Sequence, residues 1–195
     1  TFSEAGVNYL KRFTFKRGMY DLGVSYRIDN QSGQSWSGNL FAQLKRDASP
    51  DPSSSTATGS ATYLGAALWT AHKPYTKVSM SNMDSAPLKE NVQGGWVAWL
   101  QHYFVTAWIP EKDSANTVQT RKDSQGNYII GFTGPALNVS AGASAETSAT
   151  LYAGPKTQKN LLALSPGLDL TIDYGMLWFI AQPIFWLLVH IHSLL

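Results

Sequence analysis

Between Tyr20 and Asp29 the chain alternates without a break. Tyr20, Leu22, Val24, Tyr26 and Ile28 are apolar, while Asp21, Gly23, Ser25, Arg27 and Asp29 are small or polar. A period of two sends the two sets to opposite sides of an extended chain, so this stretch is expected to be a β-strand with one dry and one wet face. Phe13 and Phe15 alternate in the same way with Arg12, Thr14 and Lys16, and Gly18 stands where a hairpin would turn. Tyr128, Ile130 and Phe132 repeat the pattern after the turn-forming run from Asp123 to Asn127, and a further strand is expected around residues 149–153, stopped by Gly154 and Pro155. The body of the chain reads as β-rich.

Residues 96–109 break the alternation because both sets are apolar. Trp96, Ala98, Leu100, Phe104 and Trp108 fall on one side, and Val97, Trp99, Tyr103, Val105 and Ile109 on the other. The run is too short to span a bilayer. It is expected to be core packed on both faces, as two short strands broken at Gln101 and His102. The one helix expected in the body runs from Lys156 to about Leu164, free of Gly and Pro and ending before Ser165, Pro166 and Gly167. Residues 48–61, rich in Ser, Thr, Pro, Gly and Ala, read as a loop within one domain.

Composition removes several function classes. With 44% hydrophobic and 14% charged residues, the chain is too apolar for a disordered segment. A net charge of +2 without a long basic run argues against a dedicated nucleic-acid binder. The absence of cysteine excludes disulfide scaffolds, thiol nucleophiles and cysteine-ligated zinc. The chain starts at Thr1, without methionine or signal peptide, and is expected to be part of a longer protein.

Charge is also unevenly placed: every Lys, Arg, Asp and Glu lies at or before Asp173, and residues 174–195 carry none. As a helix this tail would span roughly 33 Å at about 1.5 Å per residue. It could cross a bilayer, lie in the membrane interface or dock on the body, and Pro183 would kink it in each case. On a helical projection Gln182, His190, His192 and Ser193 share one half. Leu177, Phe179, Ile180, Ile184, Leu187, Leu188 and Ile191 occupy the other, while Trp186 and Val189 intrude on the polar side. Trp178 and Trp186 suit the headgroup level. The tail has no Lys or Arg to hold it at an anionic surface.

No motif announces catalysis. His72, His102 and Glu111 are the body's candidates for acid–base chemistry, but no spacing fixes their geometry. Asp169 and Asp173 are four apart, yet Asp173 immediately precedes the apolar tail and reads better as a helix cap. His190 and His192 would project to nearly opposite sides of a helix, which argues against a metal pair. No cofactor is expected. Lys11, Arg12, Lys16 and Arg17 cluster locally, but a strand divides them between faces and they read as solvated surface. Asn138-Val-Ser140 fits a glycosylation sequon.

The run from Gly94 through Trp96, Trp99, His102 and Trp108 to Pro110 resembles a signature of the YidC family, bacterial inner-membrane protein insertases, in their large periplasmic domain. The run from Leu168 through Tyr174 and Trp178 to Pro183, then Ile191-His-Ser193, resembles the family where that domain joins the membrane core. Phe15-Lys-Arg-Gly18 and Leu151-Tyr-Ala-Gly-Pro155 agree. The resemblance implies an all-β supersandwich of two antiparallel sheets over residues 1–173, truncated at its start, with C-terminal helices. It implies that residues 174–195 are an amphipathic helix at the periplasmic face of the inner membrane, with Leu177, Trp178, Phe179, Ile180, Ile184, Phe185, Trp186, Leu187, Leu188 and Ile191 at the interface. Family members carry lysines at the positions of Trp186 and Val189, so this tail could sit deeper.

The resemblance also places the insertion groove in a membrane core beyond this chain, and gives the fragment the accessory role of platform and linker. By position, a contact with the SecD and SecF translocon subunits would fall within about residues 59–109. Because residues 96–109 are too apolar to be mostly exposed, Tyr63, Leu64, Trp69, His72, Tyr75 and Lys77 are the expected contacts. The alternative is a carbohydrate- or polymer-binding sandwich, since the supersandwich fold also serves sugar-binding proteins and seven tryptophans are available. Aromatics lining an open cleft would favour that alternative. Buried tryptophans and an exposed tail would favour the platform.

Overall fold

A computed structural model describes residues 1–50, 63–172 and, near the C-terminus, 183, 184, 187, 188 and 191. The larger sheet has eight strands, in the order β1-β2-β3-β12-β9-β8-β5-β6. These are β1 (Phe2–Glu4), β2 (Val7–Phe15), β3 (Asp21–Asn30), β5 (Gly65–Trp69), β6 (Thr76–Val78), β8 (Trp96–Leu100), β9 (Phe104–Pro110) and β12 (Ser144–Pro155). The smaller sheet has four, in the order β4-β11-β10-β7: β4 (Trp36–Arg46), β7 (Lys89–Gln93), β10 (Ala115–Lys122) and β11 (Tyr128–Val139). Every pairing is antiparallel. The expected all-β sandwich of two antiparallel sheets is the architecture found.

Three expected strands appear with their turns. Phe13 pairs with Val24 and Phe15 with Leu22 across the β2–β3 hairpin, where Gly18 takes φ +76°. Asp123 closes the β10–β11 turn, its Oδ1 accepting from the backbone N–H groups of Gln125 and Asn127 at 2.9 Å. Lys45 on β4 approaches the same carboxylate at 2.6 Å, and these donors hold the Asp123 carboxyl well below the usual carboxylate range. The strand expected at 149–153 is longer, because β12 pairs with both β3 and β9 along its length.

The twice-apolar run is the centre of the fold. It divides into β8 and β9 around Gln101 and His102, and all five residues of β8 are buried. Tyr103 and Phe104 are exposed, against the expectation of core throughout, because they stand at the turn beyond the covering layers. Val97 and Trp99 face the small sheet, where they meet Val118, Ile130, Phe132 and Ala42. Trp96, Ala98 and Leu100 face the other way, joined by Val105, Ala107 and Tyr152. That outer face is covered by α2 (Gln158–Leu164) and a 3-10 turn (Leu168–Thr171), through the fully buried Leu161 and Leu168. Gly95 precedes β8 at φ +81°, where an added Cβ would run into the Trp69 carbonyl. α2 begins two residues later than expected.

A second short helix, α1 (Met80–Ser85), was not expected. Ser79 caps it, its Oγ accepting from the Asn82 N–H at 3.1 Å, and Met83 anchors it in the core. Tyr128 and Lys122 fasten it from the small sheet: the Tyr128 hydroxyl donates to Asp84 at 2.8 Å and Lys122 Nζ pairs with Asp84 at 2.9 Å. These two donors keep the Asp84 carboxyl below its ordinary range.

Candidate interaction surface

The expected partner contacts fall on the β5–β6 edge of the large sheet, but they do not form one exposed face. Tyr63 is half-buried. Its hydroxyl donates to the Ala66 carbonyl at 2.8 Å, and burial pushes its pKa up. Lys77, on the edge strand β6, places its Nζ 4.9 Å from the centre of the Tyr63 ring and 5.7 Å from that of Tyr75. Tyr75 in turn lies 6.3 Å from the Trp96 ring. Tyr63, Tyr75 and Lys77 thus form one cation–aromatic cluster, with Lys77 exposed at its rim.

The other three serve elsewhere. Leu64 is half-buried ahead of β5. Trp69 packs on the 3-10 turn segment, its indole so close to Gly167 that a Cβ there would overlap it. Its role is to seat the C-terminal segment. His72 is exposed in the β5–β6 loop, on the rim of a cleft of about 490 Å³ shared with Glu90, Gln93 and Asn116. Beside it Lys73 pairs with Glu90 at 3.1 Å.

The acid–base candidates are separately engaged. Glu111 accepts from the Ser148 hydroxyl at 2.8 Å and the Ser148 N–H at 3.2 Å, tying the end of β9 to β12. The ring of His102 lies 4.1 Å from that of Tyr103. Among the described residues no three His, Cys, Asp or Glu gather as metal ligands.

Of the expected interface residues, Ile184, Leu187, Leu188 and Ile191 are described, and all four are helical and exposed. Leu177, Trp178, Phe179, Ile180, Phe185 and Trp186 lie outside the described residues, as do Asp173, His190 and His192. Among the described residues no helix is long and apolar enough to cross a membrane.

Sequence reasoning missed a cleft of about 280 Å³ between the sheets, lined by Tyr9, Tyr26, Trp36, Phe41 and Leu137. Trp36 meets Tyr9 edge-on at 5.8 Å between ring centres. The two strands that supply Tyr9 and Trp36 belong to different sheets, so no local pattern joins them. The tryptophans accordingly divide: Trp96 and Trp99 are buried, whereas Trp36 lines an open cleft.

Residues 1–187 match the family described as the YidC periplasmic domain. The chain belongs to the YidC periplasmic domain family. It is 78% identical over its whole length to the membrane protein insertase YidC of Pseudomonas putida (strain W619). It is likewise 78% identical to that of Pseudomonas entomophila (strain L48) and 75% identical to that of Pseudomonas syringae pv. syringae (strain B728a). It spans 34–35% of these relatives' length. Among solved structures, the chain shares its fold with part of the GH36 alpha-galactosidase AgaB of Geobacillus stearothermophilus. The TM-score is 0.51 and the identity 10%, over 77% of this chain and 22% of that one.

Proposed function

We propose that this domain is a non-catalytic platform and linker on the periplasmic side of the bacterial inner membrane, assisting an insertase in the insertion and folding of membrane proteins. The observation that supports it most is the C-terminal helical stripe. Ile184, Leu187, Leu188 and Ile191 are spaced i, i+3, i+4, i+7 and remain 52%, 52%, 59% and 46% exposed. An uncovered apolar stripe at helical spacing suits a helix lying in the headgroup boundary. The insertion groove, in this reading, belongs to the part of the longer relatives outside this chain. Flotation with liposomes tests the tail: Ile184→Asp/Leu188→Asp is expected to lower the bound fraction, and equal flotation would overturn the interfacial role.

The platform half of the proposal rests on the β5–β6 edge, where Lys77 and His72 are exposed beside the anchored Tyr63 and Tyr75. SecD and SecF are the proposed partners. A photo-crosslinker at His72 or Lys77 in the full-length insertase is expected to yield adducts with one of them. Absence of adducts at both positions would remove this edge from the contact.

One observation favours a second reading, that of a glycan- or polymer-binding module. The cleft between the sheets is walled by aromatic rings, with Asn39 and Thr147 as polar groups within reach. Titration of tryptophan fluorescence with oligosaccharides, in the parent and in Trp36→Ala, decides it. A saturable change lost in the variant supports glycan binding, and a flat response sinks it.

A further inference from the structure

We propose that the end of the large sheet formed by the β2–β3 hairpin and the β8–β9 turn is a second membrane-docking surface, one that takes anionic lipid headgroups. Phe13, Phe15, Met19 and Tyr20 at the hairpin are 51%, 77%, 50% and 51% exposed, and Tyr103 and Phe104 at the neighbouring turn are 63% and 53% exposed. The register brings them to one end of the sheet. Phe15 pairs with Leu22, and Leu22 with Leu151. Ala153 donates to the Tyr20 carbonyl at 3.1 Å, Pro155 pairs with Phe104, and Lys156 donates through its backbone to Tyr103 at 2.9 Å. A group of exposed aromatics and methionine on one rim is unusual for a surface that meets only water.

Charge selects the occupant. Lys11, Arg12, Lys16 and Arg17 are all exposed, and Asp21 is the one acid in the stretch from Lys11 to Asp21. Only Lys16 meets that acid, at 3.9 Å, and Arg12 and Arg17 make no ion pair among the described residues. Lys11 lies over the Phe13 and Tyr26 rings at 5.0 and 5.1 Å, so its charge stays at the apolar surface instead of extending away from it. The strand does divide Lys11 from Arg12 between faces. At a hairpin tip that division places cations on both flanks of the apolar residues, the arrangement of an edge entering an interface tip-first. The tail has apolar residues and no Lys or Arg, so the hairpin supplies what the tail lacks.

The test is flotation of the whole chain with vesicles of phosphatidylglycerol and phosphatidylethanolamine, against vesicles of phosphatidylcholine. Each cation near an anionic bilayer contributes about fivefold in partitioning. Lys16→Glu/Arg17→Glu is therefore expected to lose at least about tenfold on the anionic vesicles and to weaken the salt dependence, Lys11 and Arg12 remaining. Phe15→Ser/Met19→Ser should lose binding as well. If both hairpin variants float like the parent while Ile184→Asp/Leu188→Asp does not, the tail alone binds and this proposal is overturned. If the tail variant floats like the parent and the hairpin variants do not, the hairpin stands and the interfacial tail falls. If the parent does not float, neither surface binds lipid.

A second measurement does not depend on multiple substitutions. The chain has no cysteine, so Met19→Cys carries a single environment-sensitive fluorophore. Its emission is expected to shift to the blue and rise with anionic vesicles, and to be quenched by spin-labelled lipid. An unchanged spectrum would point to a protein partner for this rim and overturn the lipid assignment.

Discussion

β8 and the distal half of β2 draw on the same aromatic and aliphatic residue types and meet opposite environments. β8 has a layer on each side: the small sheet under Val97 and Trp99, and α2 with the 3-10 turn over Trp96, Ala98 and Leu100. The distal half of β2 has neither, so Phe13 and Phe15 project beyond the four-stranded sheet into solvent. Both are paired strands, and the exposed one has the longer ladder: nine register pairs in β2–β3 against four in β8–β9. Pairing therefore does not decide burial. The number of strands stacked beneath does, and an eight-on-four sandwich necessarily leaves part of one sheet bare.

The comparison can be broken most strongly at Trp96. Trp96→Ala removes a ring packed on Leu161 and Leu168 and the Nε1 donor to the Pro166 carbonyl at 3.1 Å. We expect a loss of about 3–5 kcal/mol, read from urea unfolding. Gly95→Ala strains the backbone at positive φ and presses on the Trp69 carbonyl, and is expected to cost about 1–3 kcal/mol. Ser79→Ala uncaps α1 for about 1 kcal/mol.

A smaller effect is expected at acid pH. The Asp123 carboxyl is held below its unfolded value of 3.8 by Lys45 and the turn N–H groups. Its contribution is complete above that value and fades as pH falls through the lower folded one. Asp123→Asn should flatten this acid limb of a melting-temperature profile, and an unchanged limb would show that the turn holds without the charge. At the far end of the series, Phe15→Ser should change stability by less than about 0.5 kcal/mol. A large loss there would mean that the hairpin end is covered after all.

What the sequence disclosed follows the same division. Strands with one wet face announce themselves by alternation, as β3 does. Residues 96–100 were readable as a doubly buried strand because only two apolar layers explain both sets, and Gln101 and His102 gave the break. The same reading wrongly buried Tyr103 and Phe104, which the turn leaves exposed. α1 was missed because a helix of six residues is too short for periodicity to register, leaving only the Ser79 cap as a signal. The resemblance pointed to Tyr63, Trp69 and Lys77 as one set of expected contacts, whereas their surroundings in the fold differ. Tyr75 and Lys77 are two apart and share a face by strand spacing, but Gly167 under the Trp69 indole is a contact across distant segments that no local spacing encodes. The same holds for the inter-sheet cleft of Tyr9 and Trp36.

The hydrogen bond from the Trp96 indole to Pro166, with Leu161 and Leu168 sunk into the outer face, bears on mechanics. Tension on the chain beyond Ile172 is delivered through this seam to β8, in the interior of the large sheet, and not to an edge that could peel away. Under such a load the α2 seam lies between the pulled segment and the sandwich, so it takes the strain before the paired strands do.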